Sequence, residues 1–192
     1  RNEQEILSQS DRIRALHEVC SEHTSLRDQI NGILQLGRQE LDMESAEICR
    51  INSTNKTYTP LYRVSRDVTE MLLGAEAYPI EDNIILQVLD NDKPLIIEHG
   101  VRIDLKEGSG EKLNNIGTRI AAPIWLHGNF FGIIYFSNKK HRKTIFTESD
   151  KDLIKLMGRW ISINLEEQLS RQELEIAKDN AEKANRAKSE FL

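Results

Sequence analysis

The stretch that decides the fold is residues 118–137, which read TRIAAPIWLHGNFFGIIYFS. It contains two runs, Thr118–Leu126 and Phe130–Ser137, whose apolar residues occupy both alternating faces. Strands that are apolar on both faces belong in the middle of a sheet, because both of their sides must be covered. Gly128 and Asn129 between the runs suit a two-residue hairpin turn. The stretch therefore predicts a central antiparallel hairpin.

A long helix is predicted after this hairpin. Thr147 and Asp150 form a capping box, and no proline interrupts the chain from there to its end. The next apolar stripe has helical spacing and consists of Leu153, Ile154, Leu156, Met157, Trp160, Ile161 and Leu165. Beyond Leu169 only a narrow seam remains, which indicates packing against a partner helix. It consists of Leu174, Ala177, Ala181, Ala184 and Phe191.

The apolar spacing of this helix slips between Leu169 and Leu174, where a heptad pattern would place residues three or four apart. A slip of this kind needs local over- or underwinding of the helix. We therefore expect residues 166–173 to act as a hinge.

The first part of the chain predicts two helices. Residues 1–22 carry a thin seam at heptad spacing, formed by Ile6, Ile13 and Cys20, which is typical of a helix packed on another helix. Ser25 is placed to cap a second helix with a wider apolar face. Gly37 in this second helix indicates either the close approach of another element or a fraying end.

Two further strands, Ala46–Ile51 and Thr57–Val64, are expected to form an antiparallel hairpin, with Tyr58 and Tyr62 on one face. Pro60 indicates that the second of them is an edge strand or contains a bulge.

A short helix, Ile84–Leu89, and a strand, Pro94–Ile97, come next, and then a long glycine-containing loop between Glu98 and Gly117. The fold class is therefore α+β: an antiparallel sheet of about five to six strands, with the terminal helices on one face. The short helix and the long loop would cover the other face.

Length and composition limit the classes of protein to which this chain can belong. The 192 residues suffice for one domain with helical extensions, and the net charge of -5 argues against a nucleic-acid partner. We expect a cytoplasmic protein without membrane contact in this segment, because no apolar run is long enough to span a bilayer. Two distant cysteines without a CxxC pair agree with a reducing compartment. The chain also begins without methionine, as an excised piece of a longer protein would.

Residues 121–136 (AAPIWLHGNFFGIIYF) resemble the hairpin of the GAF domain family, and Phe146-Thr147-Glu148-Ser149-Asp150 resembles the start of its final helix. The resemblance covers roughly residues 24–168. It implies a GAF-like, PAS-like sheet and a sensory role.

A second resemblance lies in residues 177–192, which are similar to the stretch that enters the phosphoacceptor and dimerisation helix of sensor histidine kinases, many of them hybrids. No histidine lies beyond His141, so this chain does not itself carry the phosphoacceptor. The resemblances imply a linker helix at 1–23, a GAF domain at 24–168 and a coiled-coil linker at 169–192. The implied partners are a second copy, bound through the terminal helices, and a histidine kinase core in the same chain.

Candidate site residues come from the strands and the loop around the expected pocket. They are Tyr62, Ile85, His99, Arg119 and Tyr135. Arg119 is the foremost of these, because a permanent cation inside an apolar strand needs an acidic partner or an anionic ligand. The five histidines show no metal-binding spacing, so no metal site and no catalytic residue is expected.

Four residues, Asn138, Lys139, Phe146 and Asp150, resemble part of the motif of cyclic-nucleotide-binding GAF domains, but Lys151 replaces its final acidic residue. In a GAF fold Lys139 and Asp150 could pair whatever the ligand is, so the motif is expected to be structural. Tetrapyrrole-binding relatives attach their chromophore to a loop cysteine, and residues 98–115 contain none. No covalent tetrapyrrole is therefore expected, and the cofactor stays open.

The sequence thus predicts a sensory and dimerisation domain that regulates a histidine kinase and binds a small ligand. A ligand-free dimerisation and spacer module and a cyclic-nucleotide-binding domain remain as alternatives. Enzymatic activity is expected of the kinase, not of this segment.

Overall fold

The computed structural model describes residues 2–22, 25–65, 69–71, 76–80, 95–97, 117–138 and 145–190. Within these ranges the helices are α1 (Asn2–Glu22), α2 (Leu26–Glu40) and α3 (Glu148–Glu190). The strands are β1 (Ser45–Asn52), β2 (Thr57–Ser65), β3 (Thr69–Met71), β4 (Tyr78–Pro79), β5 (Leu95–Ile97), β6 (Arg119–Leu126) and β7 (Asn129–Ser137). The predicted short helix at 84–89 and the loop residues 98–116 lie outside the described residues.

The described strands form one antiparallel sheet in the order β3-β2-β1-β7-β6-β5, and β4 also pairs with β2. The β6–β7 hairpin lies inside this sheet, since β7 pairs with both β1 and β6. The predicted α+β architecture and the central hairpin are therefore confirmed. None of the helices in the described part of the chain is both long and apolar enough to cross a membrane.

The main core lies between the sheet and the helices. α3 contributes Ile154, Met157 and Ile161, which are fully buried. The sheet contributes side chains such as Ile134 and Phe136 to the same cluster. Burial of this apolar surface is the main stabilising force of the domain, at roughly 25 cal/mol per Å².

Gly37 of α2 lies where this helix comes close to both α3 and the sheet. A methyl group there would lie 2.9 Å from Met157 Sδ and would collide with the Phe136 ring. Of the two interpretations of this glycine, the close approach of another element is therefore the correct one.

Both predicted helix caps are confirmed. The Asp28 amide donates to Ser25 Oγ at 3.1 Å at the start of α2. At the start of α3 the Asp150 amide donates to Thr147 Oγ1 at 3.2 Å, and the Thr147 amide donates to Asp150 Oδ2 at 2.9 Å. This reciprocal pair satisfies amides that lack a partner within the helix.

The hairpin turn is shifted by one residue from the prediction. Leu126 pairs with Asn129, so the two turn residues are His127 and Gly128, with φ of 50° and 76°. A tight hairpin whose turn has two positive φ values matches the twist of the strands. Asn129 is the first residue of β7 instead.

Pro60 marks a bulge and not an edge. The β1–β2 register shifts between Ile48 and Cys49, and β2 lies between β1 and β3. An extra residue inverts the alternation of side chains beyond it. Tyr62 therefore packs in the main core, whereas Tyr58 packs with the second apolar cluster, so the prediction that both tyrosines share a face is wrong.

The residues of the thin seam predicted in α1 have different surroundings. Cys20 is only 4% exposed and belongs to the main core, while Ile13 is 50% exposed. The seam is therefore covered within this chain at Cys20, its packing on a partner at Ile13 stays a prediction, and the Ile6 side chain lies outside the described part of the chain.

Candidate functional site

The sheet face turned away from the helices, named here the distal face, carries a second apolar cluster. Its buried members are Cys49, Ile51, Ala121 and Ile133, and Tyr58, Ile80, Phe130 and Tyr135 pack against them. Because alternate residues of each strand point to opposite sides, this cluster is separated from the main core by the sheet.

Glu47 is a buried carboxylate in the middle of the distal face, with 5% of its surface exposed. Arg63 Nε donates to Glu47 Oε2 at 2.7 Å, and Cys49 Sγ donates to Glu47 Oε1 at 3.1 Å. The register places Arg63 in β2 and Tyr135 in β7 on either side of it. The carboxylate thus has a charge partner and hydrogen-bond donors, which a buried ion requires.

Burial and the negative charge of Glu47 raise the pKa of two neighbouring groups, which therefore stay protonated. The pKa of the Tyr135 hydroxyl is raised strongly by burial and then by the charge of Glu47, while Arg119 opposes this rise. Burial also raises the pKa of the Cys49 thiol, and the charge of Glu47 adds to it. Since the thiolate is the reactive form of cysteine, Cys49 is an inert hydrogen-bond donor and not a nucleophile.

Arg119 lies one row further along the distal face. It is half-buried and pairs in register with Ser137, which in turn pairs with Ser45. The Oγ atoms of Ser45 and Ser137 lie 2.8 Å apart. This end of the distal face thus combines a cation with two hydroxyl groups, whereas the other end is apolar.

The structure brings together two of the five predicted lining residues, Arg119 and Tyr135, which occupy neighbouring rows of the distal face. Tyr62 lies on the opposite side of the sheet, because of the bulge at Pro60. Ile85 and His99 lie outside the described residues.

Sequence reasoning missed Glu47 and its partner Arg63. A signal was present, because Glu47 is an acidic residue inside an otherwise apolar strand, which is the criterion that selected Arg119.

Three of the four motif residues are described, and each of them contacts other parts of the fold. The Asn138 Oδ1 atom accepts from the Glu44 amide at 2.5 Å, and its Nδ2 donates to the Asp42 carbonyl at 3.2 Å. Phe146 is buried in the main core. Asp150 pairs with Arg12 of α1 at 3.0 Å. Lys139 lies outside the described residues, so its pairing with Asp150 stays a prediction.

The β6–β7 hairpin is bonded to α3. A register shift between Ile124 and Trp125 accompanies a hydrogen bond from the Trp125 amide to Ser162 Oγ at 3.2 Å. The His127 amide donates to Glu166 Oε1. The Trp125 ring meets Phe130 edge-on at 5.4 Å, and Phe130 packs against the apolar cluster of the distal face. One hairpin therefore contacts both the distal face and α3.

The next features are possible metal sites and the surface grooves of the described residues. The described residues contain no group of three or more side chains suited to a metal ion. A polar groove of about 240 Å³ lies between α2 and α3, and an apolar groove of about 230 Å³ lies between α1 and α3. Both are lined by helix residues and neither by the distal face.

Comparisons with known proteins agree on the fold. A family model described as GAF domain matches residues 25–165. The GAF domain of a phosphoenolpyruvate-protein phosphotransferase from Coxiella burnetii superposes with a TM-score of 0.64 at 11% identity, covering 86% of this chain and 98% of that one. The corresponding Acinetobacter domain gives 0.60 at 13% identity, covering 81% and 90%.

A third similar structure is the blue-light absorbing form of the PixJ GAF domain from Thermosynechococcus elongatus, with a TM-score of 0.58 at 15% identity, covering 80% and 91%. At such identities these likenesses concern the fold alone. No curated protein matches the chain.

Proposed function

Because this chain belongs to the GAF domain family, we propose that it is a sensory input domain that regulates a histidine kinase in two-component signal transduction. A small ligand bound over the distal face would change the kinase through α3. The similarity of residues 177–192 to the entry of a phosphoacceptor helix supports the kinase as the output. So does the helical continuity of α3 as far as Glu190.

The observation that carries this proposal is the attachment of the β6–β7 hairpin to α3. Phe130 belongs to the distal-face cluster, while the amides of Trp125 and His127 donate to Ser162 and Glu166 of α3. A ligand that displaces Phe130 would therefore pull on α3 at two points one helical turn apart. A ligand can shift α3 only if it binds the domain more tightly with α3 in one position than in the other. The difference in binding free energy is typically 1–3 kcal/mol.

The test joins this chain, after Leu192, to the dimerisation and ATP-binding domains of a histidine kinase. Ser162→Ala and Glu166→Ala each remove one attachment of the hairpin and should change autophosphorylation about fivefold or more, as expected for a loss of 1 kcal/mol or more of coupling. Glu175→Ala is the matched control, because Glu175 is exposed on α3 beyond the body. Equal autophosphorylation in all four proteins would argue against the relay.

Arg119 is the expected ligand contact, since it is a half-buried cation beside Tyr135 and the serine pair. Native purification followed by mass spectrometry should detect an anionic small molecule with the wild-type chain and lose it in Arg119→Ala. Arg50→Ala is the control, because Arg50 is exposed on β1. Retention of the molecule by Arg119→Ala would place its binding elsewhere.

The ligand-free spacer remains a second candidate, and one observation favours it. The Glu47 carboxylate already accepts from Arg63 and Cys49, so this part of the distal face does not need a ligand to satisfy its buried charge. Absence of any co-purified molecule from the wild-type chain, together with unchanged kinase output in Ser162→Ala and Glu166→Ala, would support the spacer.

A further inference from the structure

Arg63 of β2 is attached to the buried carboxylate of Glu47 through its Nε atom. Nε donates to Glu47 Oε2 at 2.7 Å, and neither Nη group forms a hydrogen bond with a described residue. The Arg63 side chain is 46% exposed, whereas the Glu47 side chain is 7% exposed. A guanidinium group holds its donors in one rigid plane, so the contact at Nε orients the Nη groups as well. Arg63 therefore presents an oriented pair of cationic donors on the distal face.

Arg119 is a second cation on the distal face, and Glu47 lies between it and Arg63. One row of the sheet runs from Arg63 in β2 through Glu47 in β1 and Tyr135 in β7 to Ala121 in β6. Arg119 precedes Ala121 by two residues in β6, so its side chain points to the same face. Because Arg63 Nε is held at Glu47, its guanidinium lies beside β1, which is two strand spacings, or roughly 10 Å, from β6. A ligand that contacts both cations therefore extends across the face.

The groups between the two arginines limit the chemistry of the middle of such a ligand. Glu47 carries a negative charge there, and it would repel an acidic group placed above it. Burial and the charge of Glu47 raise the pKa of Tyr135, so its hydroxyl stays neutral. Ser45 and Ser137 add two more hydroxyl groups, whose Oγ atoms lie 2.8 Å apart. These neighbours favour a neutral polar middle and acidic groups only at the two ends.

We propose that the ligand of the distal face has an acidic group at each end, one bound by Arg119 and the other by the Nη donors of Arg63. Glu47 is the positioning residue, because it orients Arg63 and keeps negative charge away from the middle of the ligand. A carboxylate or a phosphate suits either end, since guanidinium groups bind both through paired hydrogen bonds. This inference rests on the proposed function and adds a second binding residue to the same site.

Calorimetric titration of the full chain with small diacids tests the two-ended ligand. The probes are glutarate, adipate and suberate, and the monomethyl ester of each is its matched control with one acidic end. At least one diacid should bind about tenfold or more tightly than its ester, because the ester loses a charge-assisted contact. Phosphoglycolate against ethyl phosphate repeats the comparison for a phosphate end. Equal binding of each probe and its control, or no binding of any diacid, would overturn the proposal.

Substitutions of Arg63 test its assignment as the second binding residue. Arg63→Gln keeps a donor for Glu47 but removes the charge and the Nη groups, so the preference for the diacid should fall to about threefold or less. Arg63→Lys keeps the charge beside Glu47, which protects the fold, and should give an intermediate preference because it lacks the planar fork. Arg50→Ala is the control, since Arg50 is exposed and lies outside this row. An unchanged preference in both Arg63 variants would overturn the assignment.

Glu47→Gln tests the positioning role with a property that a purely structural residue would not change. Tricarballylate is glutarate with an additional carboxylate at its middle, so Glu47 should make it bind the wild type more weakly than glutarate. Glu47→Gln removes the charge and should narrow this difference by about fivefold or more. Circular dichroism checks that the variant is folded. Wild-type binding of tricarballylate as tight as that of glutarate would overturn this role, whether or not the variant folds.

A failure of this inference can be distinguished from a failure of the proposed function. The proposed function requires that Arg119→Ala loses the co-purified anion and that Ser162→Ala and Glu166→Ala change autophosphorylation. If ligands with one acidic end bound as tightly as diacids and only through Arg119, those results would stand and the second acidic end would be wrong.

Discussion

Glu47 is a carboxylate in β1 whose neighbours on both adjacent strands are polar, Arg63 on β2 and Tyr135 on β7. Burying a charge is costly unless it is paired and hydrogen-bonded, and Glu47 has both kinds of partner. The charge of Glu47 raises the pKa of Tyr135 and of Cys49. At neutral pH the residue therefore holds a row of protonated donors in place on the distal face.

The protonated thiols make the domain sensitive to alkali. Cys49 has a strongly raised pKa and burial raises the pKa of Cys20 to about 11, while an unfolded thiol titrates near 8.5. Above that value the native state binds more protons than the unfolded chain, so the free energy of unfolding falls as pH rises. The Cys49 thiol, which is the more deeply buried, contributes about 1.4 kcal/mol per pH unit.

Urea unfolding of the wild type and of Cys49→Ala between pH 9 and 10 measures this effect. The wild type should lose about 1.4 kcal/mol per pH unit more than the variant, because only Cys20 remains in Cys49→Ala. Parallel pH profiles would show that the Cys49 thiol is not held protonated by the fold.

At the scale of elements, Arg12 joins the three described helices. From α1 its Nε donates to Glu40 Oε2 of α2 at 3.0 Å, and its Nη1 donates to Asp150 Oδ1 of α3 at 3.0 Å. Nη1 also donates to Ser149 Oγ at 3.1 Å. The planar guanidinium can hold all these partners at once, so α1 is tied to the first turn of α3.

Removing this junction should destabilise the domain. Arg12→Ala takes the ion-pair partner from the Asp150 side chain, which is 3% exposed, and should lower the free energy of unfolding by about 3 kcal/mol. Arg12→Lys should give an intermediate loss, because an ammonium group cannot reproduce the fork of donors.

Arg14→Ala is the matched control for chemical denaturation. Arg14 is 72% exposed, and its ion pairs with the described residues run along α1, to Asp11 and Glu18. Its loss should change stability by no more than about 0.5 kcal/mol. If Arg12→Ala were as stable as Arg14→Ala, the three-helix junction would not contribute to the fold.

At the scale of the whole molecule, α3 runs from the body of the domain to the end of the described chain. It has 43 residues and is roughly 65 Å long at 1.5 Å per residue. Its first part lies in the core, and the part from Glu167 to Arg186 is exposed. Because α3 is continuous through residues 166–173, we expect it to transmit rotation along its axis, and the hinge expected there stays a prediction.

A ladder of one-residue insertions between Leu169 and Leu174, made in the kinase fusion, tests this transmission. Each insertion turns the downstream part by about 100° relative to the body. Autophosphorylation should therefore rise and fall with a period near seven residues, which is close to two helical turns. A flat profile would mean that the segment is a passive spacer.

Local sequence was sufficient for most of the elements, although it did not indicate the short strands β3 and β4. The apolar runs of β6 and β7 predicted their central position, because a strand that is apolar on both faces must be covered on both sides. Ser25 and Thr147 predicted the starts of α2 and α3, since a cap depends on contacts within three residues. The resemblance to the GAF hairpin could likewise be identified from contiguous residues.

Only the tertiary structure decided which faces meet. One extra residue at the β1–β2 bulge moved Tyr62 to the helix side of the sheet. Asp150 pairs with Arg12, which lies 138 residues away in the sequence. Glu47 is buried and pairs with a residue on another strand. Sequence spacing does not encode such contacts, because they depend on how complete elements pack. For the same reason the sequence did not show that the body would bury Ile161 of α3 and leave Ile163 exposed.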